Sequence, residues 1–164
     1  MKYIIDALII IEGNNDESYL SSFIDSFYFV INGYDVSEDK ILFLKEVEKH
    51  RPIILLLDPD EAGKEIRNKL HKYLINYTDV EVNILKCNKN NKHGIKECEK
   101  EELINVLKPY FVERLSSGNI TYNDLYKLNK QNIEMLRNKY HIMKVNNKKM
   151  VKYLNCLNVR KENL

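Results

Sequence analysis

The sequence has 164 residues, 44% hydrophobic and 30% charged, the balance of one compact water-soluble domain with a short appendage. No apolar run approaches the roughly 20 residues of a membrane-spanning helix, which excludes a membrane protein of that kind, and the cysteines, Cys87, Cys98 and Cys156, match neither a zinc site nor a disulfide framework and are read as reduced thiols. The net charge of +2 hides a division: residues 1–86 hold 10 Lys and Arg against 16 Asp and Glu, whereas residues 87–164 hold 16 against 8. An acidic head invites a cation, and a basic tail invites a polyanion.

The opening MKYIIDALIIIEG has Asp6 inside its apolar run and ends on Glu12-Gly13 without a small-residue cleavage site. It is read as a buried strand over 7–11 and not as a signal peptide, so the protein is expected to be cytoplasmic. A helical face follows in Tyr19, Leu20, Phe23, Ile24 and Phe27, with Asn15 or Asp16 as its cap. Residues 28–31 read as a second strand, closed by Asn32-Gly33. Ser37 caps the next helix, with Glu38 and Asp39 in its first turn. Residues 53–57 (IILLL) are a third buried strand ending at Asp58. A third helix turns Ile66, Leu70, Tyr73 and Leu74 inward, and Val80, Val82 and Ile84 alternate as a fourth strand.

This β-α-β-α-β-α-β order, with strands that are unbroken apolar runs, predicts an α/β fold: a parallel sheet between helix layers, with its site beyond the carboxyl ends of the strands. The rest changes character. Residues 87–98 read as a polar loop, 99–115 as helix broken at Pro109, and 116–119 as a linker. Residues 121–158 carry short helical patterns, and residues 118–164 hold 10 Lys and Arg against 3 Asp and Glu. Two domains are expected, a sheet domain over 1–108 and a small basic helical domain over 118–164.

Two apolar strands end in acids, Glu12 and Asp58, and in a parallel sheet both emerge at one edge. Asp60 lies two residues beyond Asp58, and Pro59 favours the extended backbone that points both side chains the same way. Three converging carboxylates require protonation or a cation, and an all-oxygen site suits Mg²⁺ or Mn²⁺.

Glu12-Gly-Asn-Asn-Asp16 and Asp58-Pro-Asp-Glu-Ala-Gly-Lys-Glu-Ile-Arg67 resemble the two motifs of the Toprim domain. The resemblance is strongest to the ribonuclease that matures 5S ribosomal RNA, ribonuclease M-five. Asn32-Gly33, the turn Asp58-Pro-Asp-x-x-Gly63 and Ile66-Arg67 fit that family. So do Asp124-Leu-Tyr-x-Leu128, Leu136-Arg137 and Asn147-Lys-Lys-Met-Val-Lys-Tyr-Leu-Asn155 in the tail. The resemblance implies a Toprim, Rossmann-like fold, Glu12 as catalytic acid/base or metal ligand, and Asp58 and Asp60 as metal ligands. It implies precursor 5S ribosomal RNA as substrate, cut on both strands of the helix formed by its ends, and ribosomal protein L-eighteen as the helper that shapes it. The sequence departs from the family at Asn14, where a lysine is usual. It departs again at His93-Gly-Ile-Lys-Glu-Cys98, where the family has a glycine-rich stretch ending Gly-x-Glu-His-Ala. Glu97 matches the family glutamate there, as a further acid near the metals or as a solvated helix-start residue.

Other assignments stay double. Asp16 is a metal ligand or a helix cap. Lys64 and Arg67 meet phosphate or form a solvated face, and His93 is placed near substrate. Lys148, Lys149 and Lys152 are the expected RNA contacts of the tail. The expected activity is Mg²⁺-dependent hydrolysis of an RNA phosphodiester. A Toprim DNA nuclease, or an RNA-binding protein whose site has decayed, are the alternatives. The chain is too short for a topoisomerase gate and lacks the four-cysteine zinc site of recombination Toprim proteins.

Overall fold

A computed structural model describes residues 1–164. The chain runs β1 (Tyr3–Ile11), α1 (Asn14–Ser21), β2 (Ile24–Val30), α2 (Glu38–Val47), β3 (Ile53–Leu55), α3 (Glu61–His71) and β4 (Tyr77–Asp79). These strands form a sheet in the order β2-β1-β3-β4, and every pairing among them is parallel. β1 is central: Ile9 pairs with Tyr28 on one side and with Ile54 on the other.

The strands lack polar alternation because both faces are covered. Leu8, Ile10, Phe29, Ile53 and Leu55 point into one core, with Phe43, Leu44 and Val47 of α2 and Ile66 and Leu70 of α3. Ile5, Ala7, Ile9, Ile11, Ile24 and Ile54 point into the other, with Leu20 of α1 and Leu103 and Leu107 of α4 (Lys100–Leu107). No helix is long and apolar enough to cross a membrane.

Several elements differ from the sequence expectation. β2 begins at Ile24, so Phe27 belongs to an edge strand and not to the preceding helix. The segment from Phe23 to Phe29 suits either periodicity, and pairing with β1 from Tyr3–Ile24 onward decides for the strand. Tyr73 lies beyond α3 and is exposed. The fourth strand sits at 77–79, where Arg67 and His71 of α3 hold Asp79. Val80 and Val82 are buried, but the chain leaves the sheet before Ile84, which is exposed in a short 3₁₀ turn. Residues 99–115 are not helical throughout. α4 stops before Pro109, and β7 (Phe111–Val112) then lies antiparallel to β1 at Ile4 and Ile5, with Phe111 stacked on Tyr3.

The loop over 87–98 is ordered. β5 (Asn88–Lys89) and β6 (Lys92–His93) form a hairpin whose turn residues, Asn90 and Asn91, are both left-handed. The hairpin and the 3₁₀ turn after it bring the ends together, and a disulfide joins Cys87 to Cys98. The expectation of reduced thiols therefore holds for Cys156 alone, which is free and buried; spacing does not reveal a loop that folds back on itself.

The tail forms α5 (Tyr122–Tyr126), α6 (Lys130–Tyr140) and α7 (Asn147–Cys156). Asn129 and Asn146 cap α6 and α7 by accepting from Asn132 and Lys149 backbone N–H groups. The tail's apolar residues do not form a separate core. Ile120, Leu125, Leu136, Met150, Tyr153 and Leu154 join the cluster on the α2 and α3 face of the sheet. The Tyr153 ring lies 4.5 Å from that of Phe43.

Arg51, just before β3, binds the two parts together. Its buried guanidinium pairs with Asp6 of β1, donates to the Ser116 and Cys156 carbonyl oxygens at 2.7 Å each, and lies over Phe27. A chain ending at Ser117 would leave Phe29 and Phe43 without the Tyr153 ring and Arg51 without the Cys156 carbonyl oxygen. It is expected to lose the cooperative thermal transition of the full chain, followed by circular dichroism. A cooperative melt within a few degrees of the full chain would show that the sheet is complete without the tail.

Candidate active site

Because β1 and β3 are parallel neighbours, Glu12 and Asp58 leave the sheet side by side. Glu12 Oε1 accepts the Asp58 backbone N–H at 2.9 Å. Asp60 caps α3, its Oδ1 accepting the Gly63 N–H at 2.8 Å. α3 starts so close to the strand end that a Cβ on Gly63 would fall 2.0 Å from the Asp58 carbonyl oxygen and 2.9 Å from Glu12 Oε1. Glycine is required there for close approach.

The loop from the hairpin closes the opposite side. Asp58 Oδ1 accepts the Ile95 N–H at 2.8 Å. Asp16, buried at the start of α1, accepts the Gly13 N–H at 2.9 Å and the Lys96 N–H at 3.2 Å. It therefore caps its own helix and ties it to the loop. Glu97 is also buried, with Lys96 Nζ 3.7 Å from its Oε1. A Cβ on Gly94 would come within 2.6 Å of Glu97 Oε2 and 3.3 Å of Asp58 Oδ2. Glu12, Asp16, Asp58, Asp60 and Glu97 thus line one cleft of about 660 Å³.

Burial raises the pKa of Glu12 above the usual carboxylate range, and the charges of Asp60 and Asp16 add to it against the Asp58 N–H. Burial also raises Asp16, opposed by its two N–H donors. Asp58 is pushed up to about 7, first by burial and then by the Glu12 charge. Such a cluster stores repulsion that a cation relieves.

No three of these acids form a finished ligand cage. Glu12, Asp58 and Asp60 each place one oxygen on a backbone N–H and keep the other without a hydrogen bond. These free oxygens of one chemical type fit a hard divalent cation that retains water.

The remaining candidates divide. His93 lines the cleft, and its buried Nδ1 has no hydrogen-bond partner. Lys64 and Arg67 do not line it. Lys64 pairs with Glu61 and Arg67 with Asp79, and both border a separate groove beyond Pro59. Lys148, Lys149 and Lys152 lie on α7, and Lys152 Nζ is 3.5 Å from Glu17 Oε1 of α1, the residue after Asp16. Lys92, Lys96 and Tyr34 line the cleft and escaped the sequence reading. The lysines flank Gly94, and Tyr34 directly follows the Asn32-Gly33 turn, which was the available signal.

Residues 7–92 match the Toprim domain family. The chain is 34% identical to "Ribonuclease M5" of Mycoplasma genitalium, over 94% of this chain and 90% of that protein. It is 30% identical to "Ribonuclease M5" of Mycoplasma pneumoniae, over 93% and 89%. The chain belongs to the Ribonuclease M5 family. A small Toprim domain protein from Bacillus stearothermophilus shares the fold, with a TM-score of 0.56 at 19% identity over 67% of this chain and 93% of that one. Ribonuclease M5 proteins are nucleases built on a Toprim domain, which matches the parallel sheet and the acids at its edge.

Asp58 supplies a pH test. Its folded pKa lies above its ordinary value of 3.8, so its favourable contribution to stability is complete below that value and is lost as pH rises through about 7. With EDTA present, Asp58→Asn is expected to melt progressively higher relative to wild type between about pH 5 and pH 8. Mg²⁺ is expected to raise the wild-type Tm more at the upper end of that range and to leave Asp58→Asn nearly unmoved. A Tm difference independent of pH would remove Asp58 from the cluster.

Proposed function

We propose that this chain is a Mg²⁺-dependent endoribonuclease that matures precursor 5S ribosomal RNA. The observation that carries the reading is the meeting of Glu12, Asp58 and Asp60 at the carboxyl edge of the sheet, in a chain similar to Ribonuclease M5 over most of its length. Asp58 and Asp60 would hold the cation, with Glu12, Asp16 and Glu97 beside them; Mn²⁺ suits the same oxygens. When bound, Mg²⁺ supplies positive charge to the phosphate and acidifies water.

The chain's own residues do the rest. Glu12 has a free oxygen and a raised affinity for protons, so it can take the proton of the attacking water. The water oxygen adds to phosphorus, the bond to the leaving oxygen breaks, and that oxygen takes a proton from solvent. Lys92, Lys96 and His93 stand on the cleft wall to orient phosphate oxygens. Residues 1–108 carry this chemistry, and residues 118–164 grip RNA through Lys148, Lys149 and Lys152. A-form RNA hides its base edges, so the grip follows shape, phosphates and 2′-hydroxyls. Ribosomal protein L-eighteen is the partner that would present the RNA in that shape.

Asp60→Asn keeps the side-chain shape and removes charge. It is expected to lower cleavage of labelled precursor 5S RNA by at least about a hundredfold, with RNA affinity within a few-fold. Wild-type cleavage by this variant would exclude Asp60. Replacing Lys148, Lys149 and Lys152 with alanine is expected to flatten the dependence of log K on log salt by about one unit for each phosphate that these lysines neutralise. An unchanged slope places the RNA elsewhere. Duplex DNA is expected to resist; cleavage of DNA at a comparable rate would favour a DNA nuclease, and binding without Mg²⁺-dependent cleavage a non-catalytic RNA-binding protein.

A further inference from the structure

The hairpin beside the cleft sets two lysines against each other. Asn88 pairs with His93 and Lys89 with Lys92, across a turn in which Asn90 and Asn91 have φ of 53° and 60°. Residues directly opposite in a hairpin project from the same face, so Lys89 and Lys92 are neighbours there, and like charges in that arrangement weaken the pairing. Both residues are exposed. Of the other lysines in this segment, Lys86 pairs with Glu102 and Lys96 lies 3.7 Å from Glu97. Lys89 and Lys92 have no acidic partner, although Lys92 borders the acids of the cleft.

The backbone under this pair is fastened on both sides. The Cys87–Cys98 disulfide and the bond from the Glu99 N–H to the Lys86 carbonyl oxygen, at 2.9 Å, close the base of the loop. Just beyond the hairpin, Asp58 holds the Ile95 N–H and Asp16 holds the Lys96 N–H. The two ammonium groups are thus kept near each other and near the carboxylates by bonds that do not involve them. An anion seated between them relieves their repulsion, and the backbone that carries them is already ordered. Lys92 lines the cleft, whereas Lys89, on the other strand of the hairpin, lies outside it. The pair therefore faces a backbone that enters or leaves the cleft, and not the phosphate at its centre.

We propose that Lys89 and Lys92 form a phosphate subsite, holding between them a phosphodiester next to the scissile one on the RNA strand being cut. The inference rests on the ribonuclease reading and adds a contact that sets the register of the strand in the cleft. Phosphates lie on the outside of a paired helix, so the contact requires no open base and carries no base preference.

Binding of labelled precursor 5S RNA by the full chain, followed by fluorescence anisotropy in EDTA across a range of salt concentrations, tests this. Lys89→Gln combined with Lys92→Gln is expected to flatten log K against log salt by about one unit, the share of one phosphate. Lys86→Gln removes a charge from the same segment that is already paired, and it is expected to leave the slope unchanged. Phosphate-ethylation interference gives the position. Ethylation of a single phosphate next to the cut is expected to lower wild-type affinity by about 3- to 10-fold and to cost the double variant nothing further. Lys89→Glu separates binding from folding. It sets opposite charges across the hairpin, so it is expected to melt no lower than wild type, yet to bind the RNA at least about tenfold more weakly. The subsite is overturned by an unchanged slope in the double variant, by equal flattening in Lys86→Gln, or by one interference pattern shared by both proteins. Wild-type affinity in Lys89→Glu overturns it too, as does weak binding that comes with a Tm several degrees below wild type. If wild type binds the RNA and does not cut it with Mg²⁺, the ribonuclease reading falls, and the slope and interference pattern still decide the subsite.

Discussion

The hydrogen bond from the Asp58 backbone N–H to Glu12 Oε1 fixes the geometry on which the site depends. It forms because two apolar strands far apart in sequence lie side by side and in the same direction. Neither acid could be drawn into position by electrostatics, since the two repel and both hold protons more tightly than free carboxyls. Burial of Ile9, Ile10, Ile54 and Leu55 supplies the free energy that holds them together. Gly63 then lets α3 approach until Asp60 joins the pair. The stretch Asp58-Pro-Asp-x-x-Gly63 is therefore one geometric unit, in which strand end, turn and helix start are each required by the others.

The tail packs on the same face of the sheet as α2 and α3. Tyr153 packs against Phe43 and Phe29 on the sheet face, and Arg51 joins β1, the linker and the end of α7 through one guanidinium. A buried arginine with this many partners confers specificity of arrangement, because each alternative packing leaves a charge unpaired. The basic helices thus have a set position relative to the acids. Lys152, reaching Glu17 beside Asp16, shows how short the distance is between the surface proposed to grip RNA and the cleft. A negative cleft next to positive helices attracts a polyanion to the rim and repels it from the centre.

Much of this was legible in the sequence, for identifiable reasons. Unbroken apolar runs too short for a helix, ending in Glu12 and Asp58 and alternating with helical patterns, read as buried parallel strands, and parallel strands deliver their ends to one edge. Asp60 was legible through Pro59 and Gly63. Arg67 was not, because its partner Asp79 belongs to a strand placed a few residues too late. β7 was hidden because two residues carry no periodicity, and because an antiparallel strand after a helix has no local marker. Independence of the tail was suggested by charge composition, which reports surfaces; its packing depends on Ile120, Leu125, Met150 and Leu154, whose spacing does not name their partner. The hairpin over 88–93 was hidden behind polar residues, although Asn90-Asn91 is the kind of pair that adopts the left-handed turn.

The loop at 93–98 departs from the family pattern in its side chains, yet the carboxylates use its backbone. Asp58 is held by the Ile95 N–H and Asp16 by the Lys96 N–H, and any residue but proline presents that group. The position where side-chain size matters is 94, since a Cβ there would strike Glu97 and crowd Asp58, and that position is still glycine. Glu97 is retained and buried. The Cys87–Cys98 disulfide and the bond from the Glu99 N–H to the Lys86 carbonyl oxygen hold the base of the loop closed. Loss of the neighbouring glycines is then tolerable, because backbone freedom is needed for a loop that must find its shape, and this one is fastened at its ends and at both acids. Substitution here changes the surface shown to a substrate while leaving the hydrogen bonds of the acid cluster in place.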